Sequence, residues 1–432
     1  MSTSLVWFKN DLRIQDQQSL YNAIAKGNRV ITLYCFESSL FKEDIFGFKK
    51  TEKYRAQFLL ETIKGLKTSL ESLNIDLLLY YDNVSHVIPK IIQSYQITDI
   101  FLQKEWTQEE EHVVTQVKEH THNITWHESY DQFLFHPDDI PYQTFQEIPN
   151  VFTTFRKECE KNISIQPILP SIQQLPVSNR IQNNTKVPTL SVLGLDTFTI
   201  DARTAFPFKG GEAHAKKRIT HYFWETQKLA YYKKTRNGLV GTDYSSKLSP
   251  WLANGSISPR QIYWEVKQFE KEIKKNQDTY WLIFELIWRD YFKYVSFKYG
   301  NAIFKRGGIL DKEYEWYTNQ AALQDWIHGK TPYDFVNANM IELRETGWMS
   351  NRGRQNVASY WAKELKQDWR IGAAYFESML IDYDVHSNYG NWIYNAGVGN
   401  DPRDRKFNIK GQAERYDPQR KFRNLWLQQT LF

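Results

Sequence analysis

The sequence predicts an α/β part followed by an all-α part, joined by a long linker. Three observations support this. Short apolar runs alternate with helix-period stretches through the first third of the chain. A middle stretch is dominated by Pro, Gln, Asn and Ser. From Gly210 onward the apolar spacing is helical almost throughout. The 432 residues also exceed what one hydrophobic core usually supports. The expected boundaries are residues 1–133, 134–205 and 206–432.

The first part carries LVWF (residues 5–8), VITLYCF (30–36), IDLLLYY (75–81) and ITDIFLQ (97–103), all apolar and β-rich. Helical stretches, such as residues 49–73, lie between them. Apolar strands separated by helices indicate a Rossmann-like parallel sheet covered on both faces. Ligands of such sheets sit beyond the carboxyl ends of the strands. No G-x-G-x-x-G follows the first strand and no P-loop occurs, so an ordinary dinucleotide or NTPase site is not supported. The linker segments FHPDDIPYQTF and SIQPILPSIQQLPVSNRIQNNTKVP read as chain crossing a surface, with disorder of the middle portion as the alternative. A helix around residues 152–161 interrupts them. In the last part, Pro250, Pro259, Gly300, Gly329 and Gly347 punctuate the helical segments.

Composition narrows the class. Apolar residues make up 41% and charged residues 24%, as in soluble globular proteins. Aromatic residues reach 16%, and of 15 Trp only Trp7, Trp106 and Trp126 precede residue 200. Whatever needs indole rings is therefore in the helical part. A net charge of +5 permits a polyanionic partner without demanding one. Two cysteines, Cys35 and Cys159, exclude a disulfide framework and a multi-Cys zinc site. The opening MSTSLVWFKNDLR lacks the apolar run of a signal peptide. No window reaches the roughly 18 apolar residues of a membrane span. A monomeric, cytoplasmic protein is expected.

Three constellations point to chemistry. In TYWLIFELIWRDYFKY, Glu285, Trp288, Arg289 and Phe292 share one helix face. They suggest a cavity with a few placed polar groups; a surface Glu285–Arg289 pair is the plainer alternative. In TGWMSNRGRQNVASYW, Asn351 and Arg354 lie one turn apart, and Asp382, Asp384 and Asn388 follow in LIDYDVHSNYGNWIYNAGVGNDPR. Paired carboxylates suit a metal or acid/base work. No dense ligand set surrounds these two, however, and Arg354 is a plausible ionic partner, so no metal is expected. In YYKKTRNGLVGTDYSSKLSPWLANGSISPRQ, Tyr232, Gly241, Ser245, Ser246, Lys247 and Ser249 precede or flank Pro250. Hydroxyls, a lysine and backbone N–H groups at a loop-to-helix junction suit phosphates, with an empty capping turn as the alternative.

These segments, together with LVWFKNDLRIQD, GGE with AHAKKR, and DWRIGA, resemble the photolyase/cryptochrome family in order and over essentially the whole chain. GGE, NRGRQN, NYGNWIYNAG, FHPDDIP and FTTFRK resemble its cryptochrome-DASH branch. The resemblance implies a C-terminal all-helical FAD-binding domain with FAD bent into a U. Tyr232, Ser245, Ser246, Lys247, Leu248 and Ser249 would line the pyrophosphate and ribityl part. Glu285 and Arg289 would face the flavin cavity, with Glu285 near the lesion. Asn351, Arg354, Asp382, Asp384 and Asn388 would surround the isoalloxazine, with Asn388 opposite N5. Trp392, Trp369 and Trp316 match the family's three-tryptophan relay from flavin to surface.

Trp288, Gln355 and Tyr394 match the substrate pocket. Many double-strand photolyases have Met and Trp where this chain has Gln355 and Tyr394, so the pocket is more polar and has one stacking surface fewer. Flipping a dimer out of a duplex costs a few kcal/mol, which such a pocket repays less fully. The expected activity is therefore blue-light repair of cyclobutane pyrimidine dimers in single-stranded or locally unpaired DNA. An electron is lent to the dimer by excited reduced FAD and returned after the ring splits. A photoreceptor that binds nucleic acid and signals without repair is the alternative. The branch commonly carries 5,10-methenyltetrahydrofolate as an antenna in the α/β domain. Lys9 and Gln17 replace the usual Arg and Asn of the opening motif, which bears on the antenna more than on FAD.

Overall fold

The computed structural model describes residues 2–401 and 403–428. Strands β1 (Thr3–Phe8), β2 (Arg29–Phe36), β3 (Leu77–Tyr81), β4 (Ile97–Gln103) and β5 (Thr125–Ser129) form one parallel sheet in the order β3-β2-β1-β4-β5. Helices Gln18–Ala25, Lys53–Ser72, Val84–Tyr95 and Gln108–Glu119 cross over between successive strands. Alternate residues of β1 feed two cores. Val6 and Phe8 join Tyr34 and Phe101 on one face, while Leu5 and Trp7 join Ile31 and Ile100 on the other. Burial on both faces is why the strand reads as continuously apolar.

The fifth strand, TWHES, has no apolar run to announce it, because it is an edge strand left partly exposed. The linker is fastened along the α/β domain, contrary to the disordered alternative. Its helix is Phe152–Asn162. Asn179 is buried and accepts from the Val30 N–H at 2.8 Å while donating to the Val30 carbonyl at 3.0 Å. Leu190, Leu193 and Leu195 complete one face of the sheet core.

The helical part contains the long helix Gln277–Tyr299 and, around it, Asp334–Thr346, Asn351–Ser359, Trp369–Met379 and Val385–Ala396. Pro259 opens its helix behind a Ser258/Gln261 capping box, where a missing N–H costs nothing. Gly347 ends Asp334–Thr346 at φ 69°, a left-handed cap that glycine adopts without strain. Pro250 likewise marks a helix start, in the first turn of the short helix Ser249–Ala253.

A buried ionic network joins the two parts. Arg13 reaches Asp131 at 2.6 Å, and Arg260 reaches Asp16 at 2.8 Å and Asp131 at 3.0 Å. Gly255 lies so close to the Asn10 backbone that a Cβ would stand 2.1 Å from the Asn10 carbonyl oxygen. No helix among the described residues is long and apolar enough to cross a membrane.

Candidate functional site

The long helix Gln277–Tyr299 forms one wall of a cavity of about 400 Å³. Glu285, Trp288, Arg289 and Phe292 line it from the single face that their spacing predicts. Tyr232 and the loop Ser245, Ser246, Lys247, Leu248 and Ser249 form a second wall. The start of helix Asn351–Ser359 adds Asn351, Arg354 and Gln355, and Asp382, Asp384 and Tyr394 close the lining. A smaller cavity of about 70 Å³ shares Arg354, Asp382 and Asp384 and adds Asn388 and Trp392. Trp369 and Trp316 line neither cavity. Both are buried, and they are linked through Arg306: the Trp369 indole donates to the Arg306 carbonyl at 3.0 Å, and the Arg306 guanidinium donates to the Trp316 carbonyl at 2.6 Å. Gly372 lets this region approach Trp392, since a Cβ there would lie 2.3 Å from the indole edge.

The charges in the wall are ordered. Arg354 donates to both oxygens of Asp382, at 2.8 and 2.9 Å, and to the Met349 carbonyl at 3.0 Å. Asp384 caps helix Val385–Ala396 by accepting from the Ser387 N–H at 2.8 Å, and it pairs with buried Lys293 at 3.0 Å. Burial pushes the Asp384 carboxyl up, but Lys293, Arg289 and the Ser387 N–H prevail and hold it well below its ordinary range. The Asn388 amide nitrogen donates to the Ala373 carbonyl at 3.0 Å, which fixes that side chain.

Glu285 does not pair with Arg289. Arg289 spends its guanidinium on the Gln132 and Leu252 carbonyls, at 2.6 and 3.1 Å, and Glu285 takes Arg236 at 2.8 Å instead. Burial still raises the Glu285 carboxyl against the pull of Arg236. Trp288 is stacked at 3.7 Å on Phe152 from the linker helix and meets Tyr394 edge-on at 6.3 Å. Sequence reasoning missed Arg236, Phe152, Tyr244 and Trp348. All four lie within motifs already singled out, Phe152 in FTTFRK, but nothing local to Phe152 points to this cavity.

The lining suits a large ligand with both aromatic and polar parts, as FAD has. It offers hydroxyls, an ordered guanidinium–carboxylate pair and indole rings. Two buried polar atoms, Lys247 Nζ and Gln355 Oε1, lack any partner among the described residues. Such groups are costly unless something completes them.

Known proteins place this geometry. Residues 4–176 match the family model described as DNA photolyase, and residues 281–430 match the FAD binding domain of DNA photolyase. A cryptochrome DASH of Synechocystis sp. is 46% identical over 98% of this chain and 87% of its own length. One from Danio rerio is 41% identical over 98% of this chain and 83% of its own. The crystal structure of a Synechocystis sp. PCC6803 cryptochrome superposes with a TM-score of 0.95 at 44% identity, covering 99% of this chain and 89% of that one. A class III photolyase from Agrobacterium tumefaciens, at 24% identity and a TM-score of 0.80, shares the fold. With its sheet, its helical FAD-binding domain and these relatives, the chain belongs to the cryptochrome DASH branch of the photolyase/cryptochrome family.

Proposed function

We propose that the protein repairs cyclobutane pyrimidine dimers in single-stranded or locally unpaired DNA, using FAD held in the helical domain. The observation that carries this reading is that one cavity is lined both by the residues expected at the flavin and by Glu285, Trp288, Gln355 and Tyr394, expected at the lesion. When bound, FAD supplies light-driven one-electron transfer. The protein's own groups bind and orient. Tyr232 and the loop containing Ser245, Ser246, Lys247, Leu248 and Ser249 hold the phosphate and ribityl part. Asn351, Arg354, Asp382, Asp384 and Asn388 surround the ring, with Arg354 locked by Asp382. Glu285 and Arg289 share the wall between flavin and substrate. Trp392, Trp369 and Trp316 resupply electrons from outside.

The pocket supports the proposed substrate preference. Trp288 has one face covered by Phe152, so it offers a single stacking surface. Tyr394 is turned edge-on to it and accepts from Arg405 at 3.1 Å. A pocket with so little stacking repays poorly the few kcal/mol needed to flip a dimer out of a duplex. Arg236 and Arg405 flank the pocket and suit backbone phosphates, whose contacts weaken with salt. For the antenna we propose methenyltetrahydrofolate beyond the carboxyl ends of β1 and β4, where Lys9, Glu105 and Glu110 gather. Burial and the charge of Glu105 push Glu110 up to about 8, so a protonated carboxyl there suits a ring edge bearing acceptors.

The deciding experiment illuminates the reduced protein with oligonucleotides that each carry one dimer, single- and double-stranded in parallel. Loss of the dimer is expected in the single strand and much less in the duplex. An intact dimer in the single strand would leave the photoreceptor reading in its place.

A further inference from the structure

The outer end of the tryptophan relay does not reach the surface. Trp316 is only 8% exposed, and its buried indole Nε1 meets no acceptor among the described residues. A positive charge arriving on that ring finds no base for its N–H proton and little open surface for a soluble reductant. The segment EYEWY sets one further ring against it. Tyr314 meets Trp316 edge-on, with 5.6 Å between ring centres. Among the described residues it is the one aromatic ring in such contact with Trp316.

Tyr314 has what Trp316 lacks. It is half-buried, and its hydroxyl donates to an Asp404 carboxylate oxygen at 3.0 Å, within the reach of direct proton transfer. Asp404 is exposed, so a proton placed there can pass to water. Burial raises the Asp404 carboxyl, but Lys363, the Tyr314 phenol and Lys312 prevail and keep it ionised. Lys363 pairs with Asp404, and its Nζ lies 5.0 Å from the Tyr314 ring centre. Lys312 Nζ lies 5.7 Å from the same ring and donates to the phenol oxygen at 3.4 Å. Two ammonium groups at these distances make a positively charged ring costly. Oxidation of this phenol is therefore tied to loss of its proton, because a neutral radical puts no charge beside the lysines. Tyr317 is more exposed, at 51%, but it sends its hydroxyl to Glu315 at 3.3 Å instead.

We propose that Tyr314 is the terminal electron donor of the relay, with Asp404 as its proton acceptor. This rests on the reading that Trp392, Trp369 and Trp316 carry electrons inward to FAD. One electron passes from Tyr314 to the oxidised Trp316 indole. The phenol O–H bond breaks in the same step, and its proton goes to the Asp404 carboxylate and then to solvent. Trp316 is thereby restored, and Tyr314 is left as a neutral radical. A soluble thiol then returns one electron and one proton to Tyr314, and is itself oxidised. The positive charge leaves the protein as a proton, so an electron can run back outward only if a proton returns with it.

The test follows radicals by time-resolved absorbance after a flash on the FAD-loaded protein. In the parent, the tryptophan radical should decay as a neutral tyrosyl signal rises, and more slowly in heavy water. Tyr314→Phe removes only the hydroxyl. It should abolish the tyrosyl signal and lengthen the life of the tryptophan radical while FAD stays bound. Tyr317→Phe should change neither. Asp404→Asn should slow tyrosyl formation by about a hundredfold, the scale of a positioned base. Added imidazole should recover part of that loss, a rescue by soluble base that a merely structural role does not give. Illumination with a nitroso spin trap, followed by peptide mass spectrometry, should place the adduct on Tyr314. A tyrosyl signal that survives Tyr314→Phe, or a tryptophan radical that decays in the parent without one, would overturn the proposal. A flash that yields no tryptophan radical at all would instead sink the relay beneath it, and the proposal with it.

Discussion

Asp131→Ala is expected to cost about 3–5 kcal/mol of stability, because it strands buried guanidinium charge. Asp131 is 1% exposed and accepts from Arg13 at 2.6 Å, Arg260 at 3.0 Å and the Gln18 N–H at 3.0 Å. Its removal leaves Asp16 as the remaining carboxylate of the network, already engaged by Arg260 and by the Ser258 hydroxyl. Arg13 keeps carbonyl acceptors at Asp16 and Gly255, but these carry no counter-charge. The network spans the α/β domain and helix Pro259–Glu272, so the loss should appear as uncoupled unfolding of the two parts in denaturant. Replacing Arg13 and Asp131 together with apolar residues of similar volume should recover much of it, since no unpaired charge then remains. A loss below about 1 kcal/mol, the scale of an exposed pair, would show that the network is not holding the parts together.

Trp392→Phe is expected to abolish nearly all photoreduction of FAD while leaving the cofactor bound. Trp392 borders the smaller cavity and is 2% exposed. It packs on Phe376 at 5.1 Å and is backed by Gly372. Phenylalanine keeps an aromatic ring there at a stability cost of about 1–3 kcal/mol, but it is far harder to oxidise than indole. Trp392 also meets Trp326 at 6.3 Å, and Trp326 stacks on Trp361 at 4.9 Å. Trp369→Phe separates the two branches: photoreduction should fall again if electrons come through Trp369 and persist if they come through Trp326. Time-resolved absorbance of the flavin reads both variants, and undiminished photoreduction in Trp392→Phe would refute the relay.

What the sequence reveals depends on whether the signal is local. Strand β1 is legible because both its faces are buried, so LVWF is apolar throughout. Strand β5 is not, because its pairing with β4 satisfies the backbone while TWHES stays partly exposed. The linker reads as loose, yet it is held by contacts to distant residues, such as Asn179 with Val30 and Arg180 with Asp76 at 2.9 Å. In the site, Glu285, Trp288 and Arg289 are legible from helical spacing. Their partners are not, because Arg236 and Phe152 arrive from other elements. Glu342 is the clearest example. Nothing in NANMIELRET marks one glutamate as buried without a donor among the described residues, and only the folded helical domain reveals it.

The central claim is that the cavity between helix Gln277–Tyr299 and helix Asn351–Ser359 is where FAD sits. The flavin absorbance of the purified protein, taken beside an Arg354→Ala, Asp382→Ala double variant, tests it most directly. The prediction is one FAD per chain in the parent and marked loss of flavin in the double variant, with the fold retained by circular dichroism. A colourless parent, or a double variant that keeps its full flavin content, would contradict it.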